Sequence, residues 1–330
     1  MVPNNIRRIL NKQHYRIVGN HSAVQICRWT KKSIRDEGVC YKEKFYGIKS
    51  HRCCQMGPSV VWCDNKCLHC WRAIELTLGD KINGKIDSPK KIIDGCINAQ
   101  RGLLLGFKKL PTSKGNRLSK ANMKKWKEAQ EPAQFAISLS GEPMIYPKIG
   151  ELISELRKRG KTSFLVTNGL HPDKLKELIE KKQLPTQLYI SINAPNEEVY
   201  DRIHRSSKKN AWKILNETLA IVSKLKGKTR TVFRINLIRE LNMDERYIKE
   251  YAKLIDKANP LFVELKSYMS VGFARQRLGY NKMPTYIEMK NFAKKLAKVT
   301  GLKILDSHEF SRAWVLGKNK KNLKIKSKNI

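Results

Sequence analysis

Short apolar runs alternate with amphipathic helical patterns along the chain from residue 130 onward. The clearest unit starts with a strand candidate at 134–139 and continues with a helix that follows Pro147 and ends at Gly160. In this helix the apolar residues recur every three or four positions, which is the spacing of one helix face. The same strand-then-helix order repeats in the stretches TSFLVTNG, QLYISINAP, RTVFRINLI and LFVELK. The alternation predicts βα units and a mainly parallel sheet.

A further apolar run, SVVWC at 59–63, brings the strand candidates to six. Because crossovers between parallel strands are right-handed, six such units predict an α/β protein built as a partial (β/α)6 barrel. Residues 1–56 fit no barrel unit and are expected to form an N-terminal extension. The barrel is expected to occupy 57–310, and 311–330 to form a basic C-terminal tail. Within the barrel, the stretch 88–128 opens with Ser-Pro, a typical helix start, and predicts a helical insertion.

The charge of the chain indicates the class of its partner. Lys and Arg number 67 against 29 Asp and Glu, which gives a formal net charge of +38. Such an excess favours a polyanion, and nucleic acid is the first candidate. Eight basic and no acidic residues lie between Lys108 and Lys127, and a second basic run, Lys318 to Lys328, comes near the end of the chain. A charge run alone is commonly a solvated face, and we expect the second run to be solvated.

The first twenty residues carry charge every few positions and have no apolar segment of the kind found in signal peptides. The longest apolar stretches are also too short to cross a bilayer. We therefore expect a cytoplasmic protein without membrane contact. In that reducing compartment, the eight cysteines of the chain are more readily explained by metal binding or catalysis than by disulfides.

Three of these cysteines, Cys63, Cys67 and Cys70, lie within eight residues directly after a strand candidate. Three thiolates from one loop can bind three irons of a cuboidal four-iron cluster and leave the fourth iron open for a substrate. This C-x3-C-x2-C spacing resembles the signature of the radical S-adenosylmethionine (SAM) superfamily, in which the open iron binds SAM. The alternative is a structural zinc site with His69 or a distant residue as the fourth ligand. Structural zinc more often uses paired knuckles, and the chain has no matching second knuckle.

Small polar residues follow three later strand candidates, where a (β/α) barrel carries its chemistry. Glu142 offers a carboxylate to the SAM ammonium group, and the 140–143 backbone can run along the ligand. The other side chains can donate to or accept from ribose and carboxylate oxygens. As ordinary turns, the same residues would need no ligand. The candidate cofactor-binding residues are Ser140, Gly141, Glu142, Pro143, Thr167, Asn168, Gly169, Ser191 and Asn193.

Longer stretches of the chain resemble one family within that superfamily. These stretches are SHRCCQMGPSVVWCDNKCLHCWR, AISLSGEPMIYPKIGELISELRKRG, SFLVTNG and LYISINAP. Together they are similar to the archaeal 4-demethylwyosine synthases, which form the tricyclic base of the tRNA wybutosine pathway. The similarity runs from about Cys27 to His308. It implies a radical-SAM partial barrel with SAM and a 4Fe-4S cluster as cofactors.

The resemblance also implies the substrates. They are pyruvate and a tRNA-Phe that carries N1-methylguanosine next to the anticodon. In the family's reaction a deoxyadenosyl radical removes hydrogen from the N1-methyl group, and the carbon radical adds to the keto carbon of pyruvate. Pyruvate C1 then leaves and the exocyclic amine closes the third ring. The net charge of +38 agrees with a tRNA substrate, whose binding should weaken as salt rises.

Residues of the N-terminal extension gain roles only from this resemblance. It assigns a second iron–sulfur cluster to Cys27, Cys40 and Cys53, again with one open iron, where pyruvate could bind. Taken alone, these cysteines would read as small buried apolar residues. The resemblance also suggests that Lys42 forms a Schiff base with pyruvate, which requires a lowered lysine pKa. Eukaryotic relatives carry a flavodoxin-like domain that residues before Cys27 could not form, so we expect an external electron donor.

Two other functions fit parts of the pattern. One is a different radical-SAM RNA-modifying enzyme, which transfers a methylthio or methyl group. The other is a non-catalytic, zinc-stabilised RNA-binding protein. Dependence on pyruvate separates the first alternative from a 4-demethylwyosine synthase. Metal analysis and the visible spectrum separate the second, because zinc lacks the charge-transfer absorption of iron–sulfur clusters.

Overall fold

Six parallel strands form the centre of a ten-stranded sheet in the computed structural model of the protein. The structure describes residues 1–108, 111–112, 115–116 and 120–326. The strands, in chain order, are β1 (Arg16–Val18), β2 (Ser22–Gln25), β3 (Cys53–Gly57), β4 (Pro111–Thr112), β5 (Gly115–Asn116), β6 (Gln134–Ile137), β7 (Thr162–Thr167), β8 (Gln187–Ser191), β9 (Arg230–Leu237), β10 (Phe262–Ser267), β11 (Lys303–His308) and β12 (Ala313–Gly317).

The helices flank this sheet and connect its strands. In chain order they are α1 (Asn4–Lys12), α2 (Arg28–Ile34), α3 (Tyr41–Tyr46), α4 (Pro89–Leu104), α5 (Met123–Ala129), α6 (Ile149–Lys158), α7 (Pro172–Glu180), α8 (Glu197–His204), α9 (Ala211–Val222), α10 (Ile248–Ala258), α11 (Ala274–Leu278) and α12 (Tyr286–Thr300). Short 3-10 turns lie at Ser50–Arg52, Ile74–Leu76, Leu105–Phe107, Pro143–Ile145, Ser223–Leu225, Glu245–Tyr247 and Glu309–Ser311. No described helix has the length and apolar character needed to cross a membrane.

The parallel strands run in the order β3, β6, β7, β8, β9, β10. This arrangement confirms the predicted α/β fold with a partial barrel. The carboxyl ends of these strands meet at one mouth, where the loops that follow them come together.

The first barrel strand is not where the apolar pattern placed it. The run SVVWC lies in a turn, and the strand is β3, which ends just before Pro58. Proline has no N–H to donate to a sheet, so it favours the end of a strand. Val60, Val61 and Trp62 are nevertheless buried. Burial made this turn resemble a strand, since a short apolar run does not reveal its backbone conformation.

The N-terminal region is joined to the barrel through the same sheet. Strands β1 and β2 extend it antiparallel beyond β3. The expected boundary between 56 and 57 therefore falls inside a strand. The helix expected to open the 88–128 insertion is α4, where Ser88 caps the first turn and Pro89 takes the first helical position. The basic run from Lys108 to Lys127 lies partly outside the described residues, since Lys109, Lys114 and Arg117 are among those not described.

The segment expected to form a basic tail, 311–330, begins inside the sheet instead. Strand β12 is buried along its whole length and pairs antiparallel with β10 and β11. The run AWVLG carries no charge, and burying it removes five consecutive residues from water. The many basic residues that follow this run made the whole segment resemble a solvated tail. Lys318, Lys320 and Lys321 are exposed.

Helix α3 lies inside the barrel and fills its lower part. Phe45 and Tyr46 are fully buried and pack with the inward-facing aromatic residues Phe164, Tyr189 and Phe262. A separate, larger apolar core lies between the sheet and the outer helices. Because α3 enters the barrel, Lys42 of its first turn lies over the inward-facing rings of Phe164 and Tyr189.

Candidate active site

A cavity of about 310 Å3 lies at the mouth of the barrel. It collects residues from the cysteine loop and from the carboxyl ends of β6, β7, β8, β9 and β10. The predicted residues in its lining are Cys63, Cys67, Cys70, Ser140, Gly141, Glu142, Thr167, Asn168, Ser191 and Asn193. Pro143 and Gly169 lie beside the cavity rather than in its lining. Pro143 begins a 3-10 turn, and Gly169 adopts the left-handed conformation (φ 79°) that favours glycine.

The cysteine loop surrounds the buried guanidinium of Arg72. This side chain donates to Thr77 Oγ1 (2.5 Å) and to the Asn65 carbonyl (3.1 Å). Burial alone would lower the pKa of Arg72, but negative charge on Cys70, Cys63 and Cys67 raises it above its ordinary value. The three thiols therefore converge on one permanent cation. Such a cation stabilises the thiolate form that binds iron.

Burial opposes ionisation of the same thiols. It raises the pKa of Cys63 to about 12, although Arg72 acts in the opposite direction. The pKa of Cys67 is also raised by burial and by the neighbouring cysteines. Iron would replace the protons as the compensating positive charge, since metal binding deprotonates a coordinating thiol outright. The donor set therefore fits an iron–sulfur cluster.

Hydrogen bonds from outside the loop fix its path. Lys66 N–H donates to the His204 carbonyl (3.0 Å), and Leu68 N–H donates to the Ile203 carbonyl (2.9 Å). On the other side, Arg277 donates to the Leu68 carbonyl (3.1 Å) and to the Cys70 carbonyl. The loop is thus held between α8 and α11, which keeps the three thiols on the cavity side.

Asp64 connects the cysteine loop to the loop after β7. Its buried carboxylate accepts from His171 Nε2 (2.8 Å) and Asn168 Nδ2 (3.1 Å), and Lys208 Nζ lies 3.3 Å away. Burial alone would raise the pKa of Asp64, but the hydrogen bond from His171 and its neighbouring charges hold it below the ordinary value. Asp64 therefore stays charged and positions both loops.

Glu142 braces two of the predicted cofactor-binding segments. One carboxylate oxygen accepts from Thr167 Oγ1 (2.7 Å) and Met144 N–H (3.0 Å), and the other accepts from Asn168 N–H (2.7 Å). Gly141 lies against the turn before the cysteine loop so closely that a Cβ atom would be 1.8 Å from the Ser59 carbonyl oxygen. Only glycine fits there. These contacts set the 140–143 backbone directly beside the cysteines.

Two buried histidines complete this side of the cavity. Asn193 Nδ2 lies 3.3 Å from His69 Nε2 and 3.5 Å from His204 Nε2. Burial lowers the pKa of His69 to about 3 and that of His204 to about 4, so both rings are neutral near pH 7. Sequence reasoning missed both as site residues, except for His69 as a possible zinc ligand. No spacing rule connects a residue of the cysteine loop with the end of α8.

The second set of cysteines comes from three separate elements. Cys27 precedes α2, Cys40 caps α3 and Cys53 begins β3. Burial, and then negative charge on Cys27, raise the pKa of Cys40 to about 12, and Cys53 contributes in the same direction. Burial raises the pKa of Cys53 to about 11, and Lys42 opposes that shift. Each of these thiols is thus close enough to another of the three to affect its pKa.

Neither set is arranged around a single metal ion. Among the described residues, no three His, Cys, Asp or Glu side chains are close enough to share one ion. Thiolates that bind separate corners of a cluster have a wider spacing than the ligands of one zinc, which lie about 2.3 Å from the metal. All eight cysteines are free thiols.

Lys42 lies beside the second set of cysteines and inside the barrel. Its ammonium nitrogen is 4.6 Å from the ring centroid of Tyr189 and 5.1 Å from that of Phe164. Burial lowers the pKa of Lys42, and Glu264 opposes this while Arg234 adds to it. A lowered pKa increases the fraction of neutral amine, which is the nucleophilic form.

The comparisons with known proteins identify the family of the chain. A model of the radical SAM superfamily matches residues 58–252, and a model of wyosine base formation matches residues 257–318. The chain is 45% identical over 316 residues to the SAM-dependent tRNA 4-demethylwyosine synthase of Pyrococcus abyssi, covering 96% of this chain and 89% of that protein. It is 40% identical over 332 residues to the Methanocaldococcus jannaschii synthase, covering 99% of this chain and 100% of that protein. A solved structure of TYW1 with a lysine–pyruvate adduct bound superposes with a TM-score of 0.83, at 38% identity and 99% coverage of both chains.

Proposed function

The chain belongs to the tRNA 4-demethylwyosine synthases of the radical SAM superfamily, and we propose that it joins pyruvate to N1-methylguanosine next to the anticodon of tRNA-Phe. The family's activity is SAM-dependent formation of the wyosine base in tRNA. Radical SAM enzymes use SAM and a 4Fe-4S cluster. Family membership sets aside the methylthio-transfer and zinc-protein alternatives. The observation that carries the finer proposal is a buried lysine beside a second group of three cysteines, with its ammonium over the inward-facing rings of Tyr189 and Phe164.

Cys63, Cys67 and Cys70 hold the SAM-binding cluster in this proposal. When bound, the cluster supplies the electron that cleaves SAM to a 5′-deoxyadenosyl radical. The chain itself supplies three thiolates, the cation of Arg72 and a loop held rigid by Asp64 and Arg277. Residues that surround the ligands of a metal site in this way orient them and adjust their basicity.

SAM occupies the 310 Å3 cavity in this proposal. Ser140, Gly141 and Glu142 line one side, and Ser191 and Asn193 line another. The carboxylate oxygens of Glu142 already accept hydrogen bonds within the protein. Its main contribution is therefore a negative charge near the SAM ammonium and a fixed 140–143 backbone. Burial raises the pKa of Glu142, while the charge of His171 and the backbone N–H of Asn168 oppose that shift.

Cys27, Cys40 and Cys53 hold a second iron–sulfur cluster in this proposal. Each of the three side chains is half-buried, so a ligand could reach a cluster from the barrel interior. An open iron would polarise a carbonyl oxygen of pyruvate as a Lewis acid. The residues around it contribute positive charge, chiefly through Lys42.

Lys42 forms a Schiff base with pyruvate in this proposal. The neutral amine attacks the keto carbon, a C–N bond forms, and the keto oxygen leaves as water after two protons from the amine have moved to it. The carbon–nitrogen double bond of the imine holds the three-carbon unit next to the incoming base. The similar structure of TYW1 contains a lysine–pyruvate adduct, which supports assigning this role to Lys42, a buried lysine beside the second cysteines.

An anaerobic assay tests the proposal. The cluster-loaded protein is incubated with SAM, a reductant, pyruvate and tRNA-Phe with or without N1-methylguanosine, and the nucleosides are analysed by mass. We expect the tricyclic base only when pyruvate and the methylated tRNA are both present. With carbon-labelled pyruvate, the product should contain two of its three carbons, since C1 leaves. A modified base formed without pyruvate would contradict the proposal, as would SAM cleavage with no tricyclic product from the complete mixture.

A further inference from the structure

The interior face of the barrel carries an excess of positive charge next to Lys42. Alternate residues of a strand point to the same face, so Arg234, Glu264 and Lys266 all face inward on β9 and β10. The strand register pairs Arg234 with Ser191 of β8 on one side and with Glu264 on the other. Together with Lys42, this group contains three basic side chains and one carboxylate. Buried charges in such a ratio favour the binding of an anion.

Arg234 interacts electrostatically with Tyr41 and Glu264, but its guanidinium is not fixed by the fold. Its side chain lines the mouth cavity, and among the described residues no hydrogen bond or ion pair engages its guanidinium. Arg230, four residues earlier on the same face, donates instead to Gln187 Oε1 (2.9 Å) and to the carbonyls of Asn322 and Leu323. Arg230 is thus an anchor of the fold. Arg234 keeps a planar fork of donors that matches a carboxylate.

The carboxylate of Glu264 lies opposite Arg234 in the strand register but forms no salt bridge with it among the described residues. One of its oxygens accepts from the hydroxyls of Tyr46 (2.5 Å) and Tyr189 (3.2 Å). Its other oxygen is buried without a partner among the described residues. The two tyrosines therefore hold Glu264 below the cavity, and the guanidinium remains available to a ligand.

Arg234 and Lys42 flank the same part of β8. Lys42 lies over the ring of Tyr189, and Arg234 is paired with Ser191, two residues nearer the mouth on the same face. Two residues of a strand span about 7 Å. Flexible lysine and arginine side chains can cover this separation with a three-carbon acid between them. Lys266 adds a second cation from β10, where it donates to the Ser311 carbonyl (2.8 Å) and keeps further donors.

We propose that Arg234 binds the carboxylate of the 2-oxo acid whose keto carbon reacts with Lys42, with Lys266 as the second cation of this subsite. The inference rests on the Lys42 function proposed above. A bidentate contact at the carboxylate fixes the direction of the neighbouring keto carbon, so that it faces the amine. It also gives the site a means to select 2-oxo acids over neutral ketones and aldehydes.

The carboxylate of SAM has the same chemistry and shares the cavity, so the test separates the two ligands. The probes are pyruvate, acetone and SAM. Pyruvate and acetone are trapped on Lys42 by borohydride in the cluster-loaded protein without SAM. The mass of the peptide that contains Lys42 is then measured. SAM binding to the same variants is measured separately.

The decisive variant is Arg234→Gln, with Arg234→Lys as a milder one and Arg230→Lys as a matched control. Since hydrogen bonds to charged groups contribute about 1.5–3 kcal/mol, the half-saturating pyruvate concentration should rise about 10- to 100-fold in Arg234→Gln. Arg234→Lys keeps the positive charge but loses the paired N–H donors, so the half-saturating pyruvate concentration should rise less. Arg230→Lys should show the same half-saturating pyruvate concentration as the unmodified protein. Thermal unfolding of every variant shows whether it is folded.

Acetone has no carboxylate and serves as the second probe. Removal of Arg234 also changes the charge near Lys42, and acetone trapping reports that effect alone. In Arg234→Gln we expect acetone trapping to fall much less than pyruvate trapping. An equal fall for acetone and pyruvate would overturn the proposal, because Arg234 would then act on the lysine rather than on the acid. Unchanged pyruvate trapping together with weaker SAM binding would also overturn it, in favour of the SAM carboxylate.

Equilibrium dialysis with radiolabelled pyruvate keeps the test independent of the Schiff base. If the unmodified protein gives no borohydride adduct, the proposed role of Lys42 is wrong, but noncovalent binding still decides the role of Arg234. Weaker binding of labelled pyruvate to Arg234→Gln than to Arg230→Lys would support the subsite. Equal binding to the two variants would overturn it.

Discussion

The two groups of three cysteines are built in different ways. Cys63, Cys67 and Cys70 lie on one loop of eight residues, so local backbone geometry brings them together. Cys27, Cys40 and Cys53 precede or begin three different elements and meet only when the N-terminal region has folded onto the barrel. The first group is therefore visible in the sequence as a spacing. The second is visible only through resemblance or structure.

The cations beside the two groups differ as well. Arg72 lies among the first three thiols, where a permanent charge stabilises thiolates. Lys42 lies beside the second group, where burial lowers its pKa. A lysine can lose its proton and become a nucleophile, whereas an arginine remains charged. This difference supports the proposal that one group serves to cleave SAM and the other serves to hold the carbon donor.

The largest expected effect is a separation of two activities by single cysteine substitutions. Cys67→Ala should abolish both SAM cleavage and tricyclic product, since a missing thiolate leaves a second iron without a protein ligand. Cys40→Ala should retain SAM cleavage and lose the product. Deoxyadenosine and the modified nucleoside are measured in the same reactions. Loss of SAM cleavage in Cys40→Ala would show that the two groups do not work independently.

A substitution of Lys42 should separate the two activities without disturbing either group of cysteines. Lys42→Arg keeps a positive charge but cannot form an imine. Product formation should fall at least about 100-fold, the scale expected when a group acting in the chemical step is removed. Iron content and SAM cleavage should be unchanged. A variant that still makes the tricyclic base at a comparable rate would rule out the Schiff base.

A smaller effect is expected from the cation beside the first group. Arg72→Gln removes the charge next to the three thiols and leaves the Thr77 hydroxyl and the Asn65 carbonyl without their donor. SAM cleavage should fall about 10- to 100-fold, as for other outer partners of metal ligands. Borohydride trapping of pyruvate on Lys42 should be unaffected. Equal losses in both assays would indicate a general loss of folding instead of a local role.

The sequence predicted the barrel and much of the mouth, because both follow from local patterns. Strand periodicity located β6 to β10, and polar residues after the strands located Glu142, Thr167 and Ser191 in the cavity lining. Their roles in binding SAM stay predictions. The pattern misplaced the first strand and missed β12, because an apolar run of five residues is buried equally well as a turn or a strand.

Interior residues such as Arg234 and Lys266 were missed for a different reason. In a chain with 67 basic residues, composition does not distinguish a single functional Lys or Arg from the solvated ones. Their strands nevertheless carried a signal, since RTVFRINL and FVELKS place charged residues at every second or fourth position among apolar ones. A charge on one face of an otherwise buried strand indicates a polar interior. Such a period-two pattern would have identified them.

The smallest expected effect concerns the approach of tRNA to the side of the second cysteines. Lys124 is exposed at the start of α5, while the neighbouring Lys125 is paired with Asp36 at 2.5 Å, just after α2. Lys124 makes no salt bridge among the described residues, and an exposed lysine releases a counterion when it contacts a phosphate. Lys124→Gln should therefore reduce the slope of log affinity against log salt by about one. Lys125→Gln should change the slope less, because Asp36 already offsets its charge. Binding of tRNA-Phe measured over a range of salt concentrations separates the two variants. Equal slopes for Lys124→Gln and the unmodified protein would place the tRNA away from α5, and the second cysteines would then be reached from the barrel axis alone.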